Sequence, residues 1–239
     1  GGNLAPQRQV TVGRGGAIDH GIYPEFSAHM ERPFRFNDLE NPEKPAGKES
    51  QMLNTLSLMS VLMMLMRHAD RVKIGCMTGG LFNIGYDEER VWKQIGYYPL
   101  EMMIRFARGI SLNPAVDGPG FDVEGYNLND FNQTPAYRDI PYIEAAASMD
   151  ETAGEAAIFI INRNWERDME VEMDVSGFGD CELIEHVELF AEDLYAANTG
   201  DKPDAVVPRI NEETELGGGL ICGRFKKLSF NMIRLSLKK

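Results

Sequence analysis

Cysteine is scarce in this sequence: Cys76, Cys181 and Cys222 are the only three in 239 residues, too scattered for a disulfide framework or a zinc knuckle. Such thiols fit a reducing compartment, and a cytoplasmic location is the expectation. Histidine is hardly commoner. His20, His29, His68 and His186 never fall three to five residues apart, the usual spacing of metal-ligand pairs, so neither a metal nor another cofactor is expected. Long apolar runs are missing too. The longest, from Leu56 to Met66, is broken by Ser57 and Ser60 and flanked by Arg67, His68 and Asp70, too short to cross a bilayer. The opening Gly1-Gly2-Asn3 carries no charged-then-apolar leader, so no signal peptide is expected.

Positive charge is also in deficit, and unevenly. Residues 1–112 carry 13 basic and 12 acidic groups, whereas residues 113–239 carry 11 basic and 25 acidic, a net charge of -14 in that half against -13 for the whole chain. An acidic surface repels phosphate backbones and anionic lipid, which argues against nucleic-acid and membrane partners. A neutral ligand such as a sugar remains compatible. With 43% hydrophobic residues the chain has enough apolar side chains for a substantial core.

Gln9-Val10-Thr11-Val12 alternates polar and apolar residues before Gly13-Arg14-Gly15-Gly16, the pattern of a strand and its turn, and residues 18–26 suit another strand. Residues 37–50, with two prolines and mostly polar side chains, have the composition of a linker. Residues 51–68 (QMLNTLSLMSVLMMLMRH) are rich in unbranched helix formers and apolar around most of the circumference, which predicts a buried helix. A short strand is expected over residues 71–77, closed by Thr78-Gly79-Gly80. A second helix is expected over residues 98–108, with Pro99 in its first turn and Gly109 at its stop. Beyond Asn113-Pro114 the helical spacing gives way to short strands between turn clusters, at residues 156–161, 169–175, 183–189, 220–225 and 228–237, the mark of a sandwich or barrel.

Few residues stand out as chemistry. Asp70 and Arg71 beside His68 suit a helix cap with local ion pairs better than an acid/base group. Thr78-Gly79-Gly80 lacks the lysine of a P-loop and the spacing of a dinucleotide fingerprint. Trp92, Tyr97 and Tyr98 could stack on a sugar ring or simply pack in the core. Glu170, Glu172 and Asp174 alternate with Val171 and Met173, so the carboxylates belong on the solvent face of a strand, because a one-residue slip would bury all three.

The order of segments is more informative. RHADRVKIGCM at residues 67–77, VWKQIGYYPLEM at 91–102, VPRI at 207–210 and KKLSFNMIRL at 226–235 resemble glycoside hydrolase family 51, chiefly retaining α-L-arabinofuranosidases. The resemblance implies an eight-stranded barrel followed by a β-sandwich, here from the seventh barrel helix to the sandwich, with residues 72–77 as the eighth barrel strand. Ile18-Asp19, Ile22-Tyr23, Phe26, His29 and Arg32 keep the spacing of that family's amino-terminal signature. The implied fold class is an α/β barrel remnant joined to an antiparallel, jelly-roll-like β-sandwich. Four segments follow: 1–36 as amino-terminal strand and first barrel strand, 37–50 as linker or deletion junction, 51–112 as the barrel's end, and 113–239 as the sandwich. An alternative makes residues 1–40 a loop after the seventh strand, with the nucleophile just upstream of Gly1.

Retaining hydrolysis needs two carboxyl groups roughly 5 to 5.5 Å apart. The family's two glutamates sit on barrel strands this sequence lacks, and neither their Asn-Glu nor their Glu-Trp motif is found, so no catalytic residue is assigned. Ala28 stands where the family has a sugar-binding glutamate, and Thr78-Gly79 where it has a glutamine. Thr78, Gly79, Asn83 and Trp92 are the candidate substrate-binding residues, with an arabinose-containing oligosaccharide or polysaccharide as partner. The expected function is part of a retaining arabinofuranosidase, inactive as this chain alone. The alternative is a non-catalytic sandwich that binds carbohydrate or mediates assembly. A helix stripped of its barrel strands would leave apolar surface open, which predicts a homo-oligomer.

Overall fold

The computed structural model describes residues 51–75, 83–123, 126–129, 132–134 and 136–238. The expectations for residues 1–50, including the strand at 9–12 and the candidates His20 and His29, lie outside the described residues, as do Thr78 and Gly79.

Helix α1 (Met52–Arg67) opens the described chain. The hairpin β1 (Ile84–Tyr86) and β2 (Val91–Lys93) and helix α2 (Tyr97–Phe106) follow. Then come β3 (Ile110–Leu112), β4 (Gly120–Val123), β5 (Tyr126–Asn129), β6 (Asn132–Thr134) and β7 (Tyr137–Pro141). The long strands are β8 (Ile143–Asp150), β9 (Glu155–Asn162), β10 (Met169–Asp174) and β11 (Cys181–Phe190). The chain closes with β12 (Arg209–Ile210), β13 (Glu215–Gly217), β14 (Leu220–Phe225) and β15 (Ser229–Leu237). A six-stranded antiparallel sheet in the order β12-β11-β15-β9-β8-β3 faces a three-stranded sheet in the order β10-β14-β13, and β4-β7 and β5-β6 form separate pairs.

Strand β9 shows why the large sheet is covered on both sides. A strand points successive side chains to opposite faces. Ala156, Ile158 and Ile160 enter the core shared with Val175, Ile221 and Phe225 of the small-sheet side, while Ala157, Phe159 and Ile161 enter the core shared with Met52, Leu56, Met59 and Met63 of α1. Both faces are therefore apolar, and the strand reads as a continuous apolar run rather than an alternation. The small sheet has one face in water. In β10, Val171 and Met173 pack inward and Glu170, Glu172 and Asp174 are exposed, as the alternation requires.

Met52, Leu56, Met59 and Met63 recur at helical spacing and bury one stripe of α1 on the large sheet. The opposite side, with Val61, Met64 and Leu65, is half-buried. Of the strand expected over residues 71–77, Val72 and Lys73 are irregular, Ile74 takes part in a β-bridge, and residues 76 and 77 lie outside the described residues. The Val72 N–H donates back to His68 O at 2.8 Å, continuing the turn that ends α1, and Ile74 is 63% exposed. The boundary expected after residue 112 falls at the end of β3, whose Ser111 and Leu112 pair with Ser148 and Ala147 of β8, so β3 is already the edge of the large sheet.

Candidate functional site

Asn83 and Trp92 come together on the β1-β2 hairpin. The pairs Ile84↔Lys93 and Gly85↔Trp92 fix its register, and Gln94 N–H donates to Asn83 O at 3.0 Å. Paired residues share a face, so Asn83, Gly85, Trp92 and Gln94 lie on one side. Gly85 is required there, because a Cβ would stand 2.2 Å from the Trp92 ring. The half-buried indole donates its Nε1–H to Asn198 O at 3.0 Å. Asn83 Oδ1 is buried and accepts no hydrogen bond among the described residues. The opposite face is open, with Ile84, Tyr86 and Val91 42%, 65% and 76% exposed.

Next to the hairpin, Lys93 Nζ lies 4.4 Å from the Tyr97 ring centroid and 5.6 Å from that of Tyr98, and the two rings meet edge to face at 5.9 Å. This arrangement holds the two tyrosines against the hairpin. Burial, then the charges of Asp204 and Glu101, raises the Tyr98 phenol above its ordinary value, so it stays protonated at neutral pH and can donate a hydrogen bond. Arg90 bonds Asp87 at 2.7 Å and Asp201 at 2.7 Å, tying the hairpin turn to the loop after β11.

Other candidates have structural roles. His68 ends α1 and its Nδ1 lies 2.8 Å from Arg71 Nη2, while Arg71 pairs with Asp70 at 3.5 Å, the expected cap with local ion pairs. His186 is buried. Its Nε2 lies 3.0 Å from Asn231 Oδ1 and its Nδ1 2.6 Å from Thr214 Oγ1. Because Asn231 donates its amide to Ser229 Oγ, Oδ1 must accept from Nε2–H, which leaves Nδ1 to accept from the threonine hydroxyl. The ring is neutral and fully used. Among the described residues no group of three or more His, Cys, Asp or Glu could hold a metal ion.

The sequence reading passed over one buried charged cluster. Glu144 accepts from Ser60 Oγ and pairs with Arg67 at 2.6 Å and with Arg163 at 3.2 Å. Burial pushes its pKa up, but Arg163 and Arg67 and the bonds from Ser60 and Arg67 outweigh this and hold it below the usual carboxylate range. A carboxylate held this firmly ionised is a clamp between α1 and the sheet rather than a proton donor. The signal was a lone acid in the apolar stretch Ile143–Ala147, since a charge is rarely buried without a partner. Asn198, in the connection between β11 and β12, carries no signal in the sequence that sets it apart from other loop asparagines.

The fold defines the class: an antiparallel β-sandwich with two helices on the outer face of its larger sheet. Residues 25–229 match the family model of the alpha-L-arabinofuranosidase C-terminal domain, and the chain belongs to that family, as its resemblance to glycoside hydrolase family 51 implied. It is 30% identical over 184 residues to an intracellular exo-alpha-(1->5)-L-arabinofuranosidase of Halalkalibacterium halodurans, covering 75% of this chain and 34% of that protein. It is 32% identical over 181 residues to intracellular exo-alpha-(1->5)-L-arabinofuranosidase 1 of Bacillus subtilis, covering 74% of this chain and 33% of that protein. The chain thus spans about a third of the length of these relatives. The family 51 alpha-L-arabinofuranosidase structure from Bifidobacterium longum shares the fold, with a TM-score of 0.65 at 22% identity, covering 77% of this chain and 35% of that one. Among the described residues no helix is long and apolar enough to cross a membrane.

Proposed function

We propose that this chain is part of a retaining glycosidase that releases terminal arabinofuranosyl groups from arabinose-containing oligosaccharide or polysaccharide of plant origin. The observation that carries this reading is the family match across residues 25–229. Thr78, Gly79, Asn83 and Trp92 are the residues we assign to the sugar. The half-exposed side of Trp92 suits a furanose face. The two catalytic carboxylates belong to parts of the enzyme that this sequence does not supply. The acidic surface fits a neutral substrate and disfavours nucleic acid and membranes. A cytoplasmic location and association of copies through exposed apolar surface complete the proposal.

The test is a hydrolysis assay of the 239-residue chain on an aryl α-L-arabinofuranoside. No turnover above a buffer blank is expected. Turnover that persists through purification and is abolished by Glu25→Gln or Glu31→Gln would overturn the assignment of the carboxylates elsewhere.

A further inference from the structure

A hairpin of two three-residue strands is marginal by itself and takes its position from what it is tied to. Here the outer face of β1-β2 is exposed at Ile84, Tyr86 and Val91, so apolar packing on that side does not hold it. The tie comes from the connection between β11 and β12. Its first part closes the amino-terminal end of α1: Met52 N–H donates to Ala196 O at 3.1 Å and Leu53 N–H to Leu194 O at 3.0 Å. Asn198, two residues further on, is completely buried. Its Oδ1 accepts Val206 N–H at 2.8 Å, and its Nδ2 donates to Val206 O at 3.0 Å and to Lys93 O at 3.1 Å. Its own carbonyl accepts the Trp92 indole at 3.0 Å.

One residue therefore closes its loop with two bonds and holds strand β2 with two more. A buried loop amide must have its polar atoms satisfied, and asparagine supplies a donor and an acceptor on one short side chain. Arg90 adds an outer tie to Asp201 and lies close over Gly200, where a Cβ would meet its Nη2 at 2.8 Å.

We propose that Asn198 is the positioning residue of the Asn83–Trp92 face, through which the sandwich sets the placement of a sugar-contacting hairpin. This rests on the sugar-facing assignment made above and adds a residue with no contact to sugar. The sandwich then has a part in substrate recognition without binding carbohydrate itself.

The experiment uses the 15N-labelled chain, whose two tryptophans give two indole signals, Trp165 being 54% exposed and serving as reference. Hydrogen exchange and titration with α-1,5-linked arabinotriose are followed together. Asn198→Ala and Asn198→Asp keep the backbone carbonyl that accepts the indole but lose the side-chain bond to Lys93 O and the bond or bonds that fix the loop on Val206, so Trp92 indole exchange is expected to rise about tenfold, with arabinotriose affinity weakened about tenfold, the size of the one bond lost to strand β2. Amides of β9 and β15 keep their protection. If the buried site does not tolerate either change, Trp92→Phe removes the indole donation together with part of the ring over Gly85 and is expected to speed exchange at Gln94, whose N–H closes the hairpin on Asn83 O. Unchanged Trp92 exchange in folded Asn198 variants, or unchanged Gln94 exchange in Trp92→Phe, overturns the tie. Absence of any arabinotriose shift at Asn83 or Trp92 in the unsubstituted chain instead overturns the sugar-facing assignment, so the two failures are distinguishable.

Discussion

Replacing Glu144 by glutamine removes a charge without changing shape, and the structure says which partner is stranded. Arg67 keeps 22% of its side chain exposed and can turn to water, but Arg163 keeps only 7% and cannot. Arg163 Nε already lacks a hydrogen-bond partner, so the Glu144 contact is its main compensation. Removing one member of a buried pair costs about 3–5 kcal/mol, because the remaining charge is left unpaired in the interior. For a chain of this size that is roughly a 6–20 °C fall in Tm at 2–4 °C per kcal/mol. Urea unfolding of Glu144→Gln at pH 7 is the assay, with the midpoint expected to fall at unchanged slope. The double variant Glu144→Leu with Arg163→Met is expected to recover most of the loss, because an apolar pair of similar volume carries no desolvation penalty. The pH dependence follows the same clamp. The folded pKa of Glu144 is depressed, so its contribution is fully present above the unfolded value of about 4.3 and is lost as pH falls through the folded value. Glu144→Gln therefore loses less stability than the parent chain on acidification below about pH 4.3. A Glu144→Gln variant within 1 kcal/mol of the parent at neutral pH would refute the clamp.

Burial, partly offset by the bond to Asn231, holds His186 below its ordinary value, so the unfolded chain binds that proton first. Stability from this site is complete above about pH 6.5 and declines as pH falls toward the folded value, a slope expected to vanish in His186→Gln; equal slopes in chemical denaturation from pH 7 to pH 5 would exclude it. Gly85→Val places a side chain where the Trp92 ring lies, 2.2 Å from the position of its Cβ, and is expected to free the indole, red-shifting its fluorescence. An unshifted spectrum in a Trp165→Phe background would show that the ring does not cover Gly85.

Long elements were legible in the sequence. The helix expected over residues 51–68 spans Met52–Arg67, the strand expected at 220–225 is β14, and the segment at 228–237 contains β15. The inward Val171 and Met173 were settled by alternation, since one face of β10 meets water. Strand β8 was missed. Ile143–Asp150 is rich in alanine, which favours helices, and its strand state comes from pairing along its whole length with β9. The hairpin β1-β2 was invisible for the same reason: its register depends on a glycine facing a tryptophan and on a loop more than a hundred residues away. At the candidate site, residue types suggested Asn83 and Trp92, but hydrogen-bond satisfaction is a property of the fold, so Asn198 could not be ranked above the other loop asparagines.

The two cores explain why the helices and the sandwich behave as one body although the sequence pattern changes near residue 113. Phe159 and Ile161 face α1 from the same strand whose Ile158 and Ile160 face the small sheet. Phe230 and Met232 do likewise on β15, with Ile233 and Leu235 on the opposite side. Removing α1 would expose an apolar face running across β8, β9, β15 and β11, not just the helix's own binding stripe. Arg234 reinforces the join at the far end, bonding Glu155 at 2.7 Å and Glu185 at 2.6 Å while its guanidinium lies 4.0 Å from the Phe106 ring of α2. The switch in sequence periodicity therefore marks a change of secondary structure, and the folding unit runs across it. A sandwich built this way fixes the position of the helices, through the shared core, and of the hairpin, through the Trp92 bond to Asn198 O.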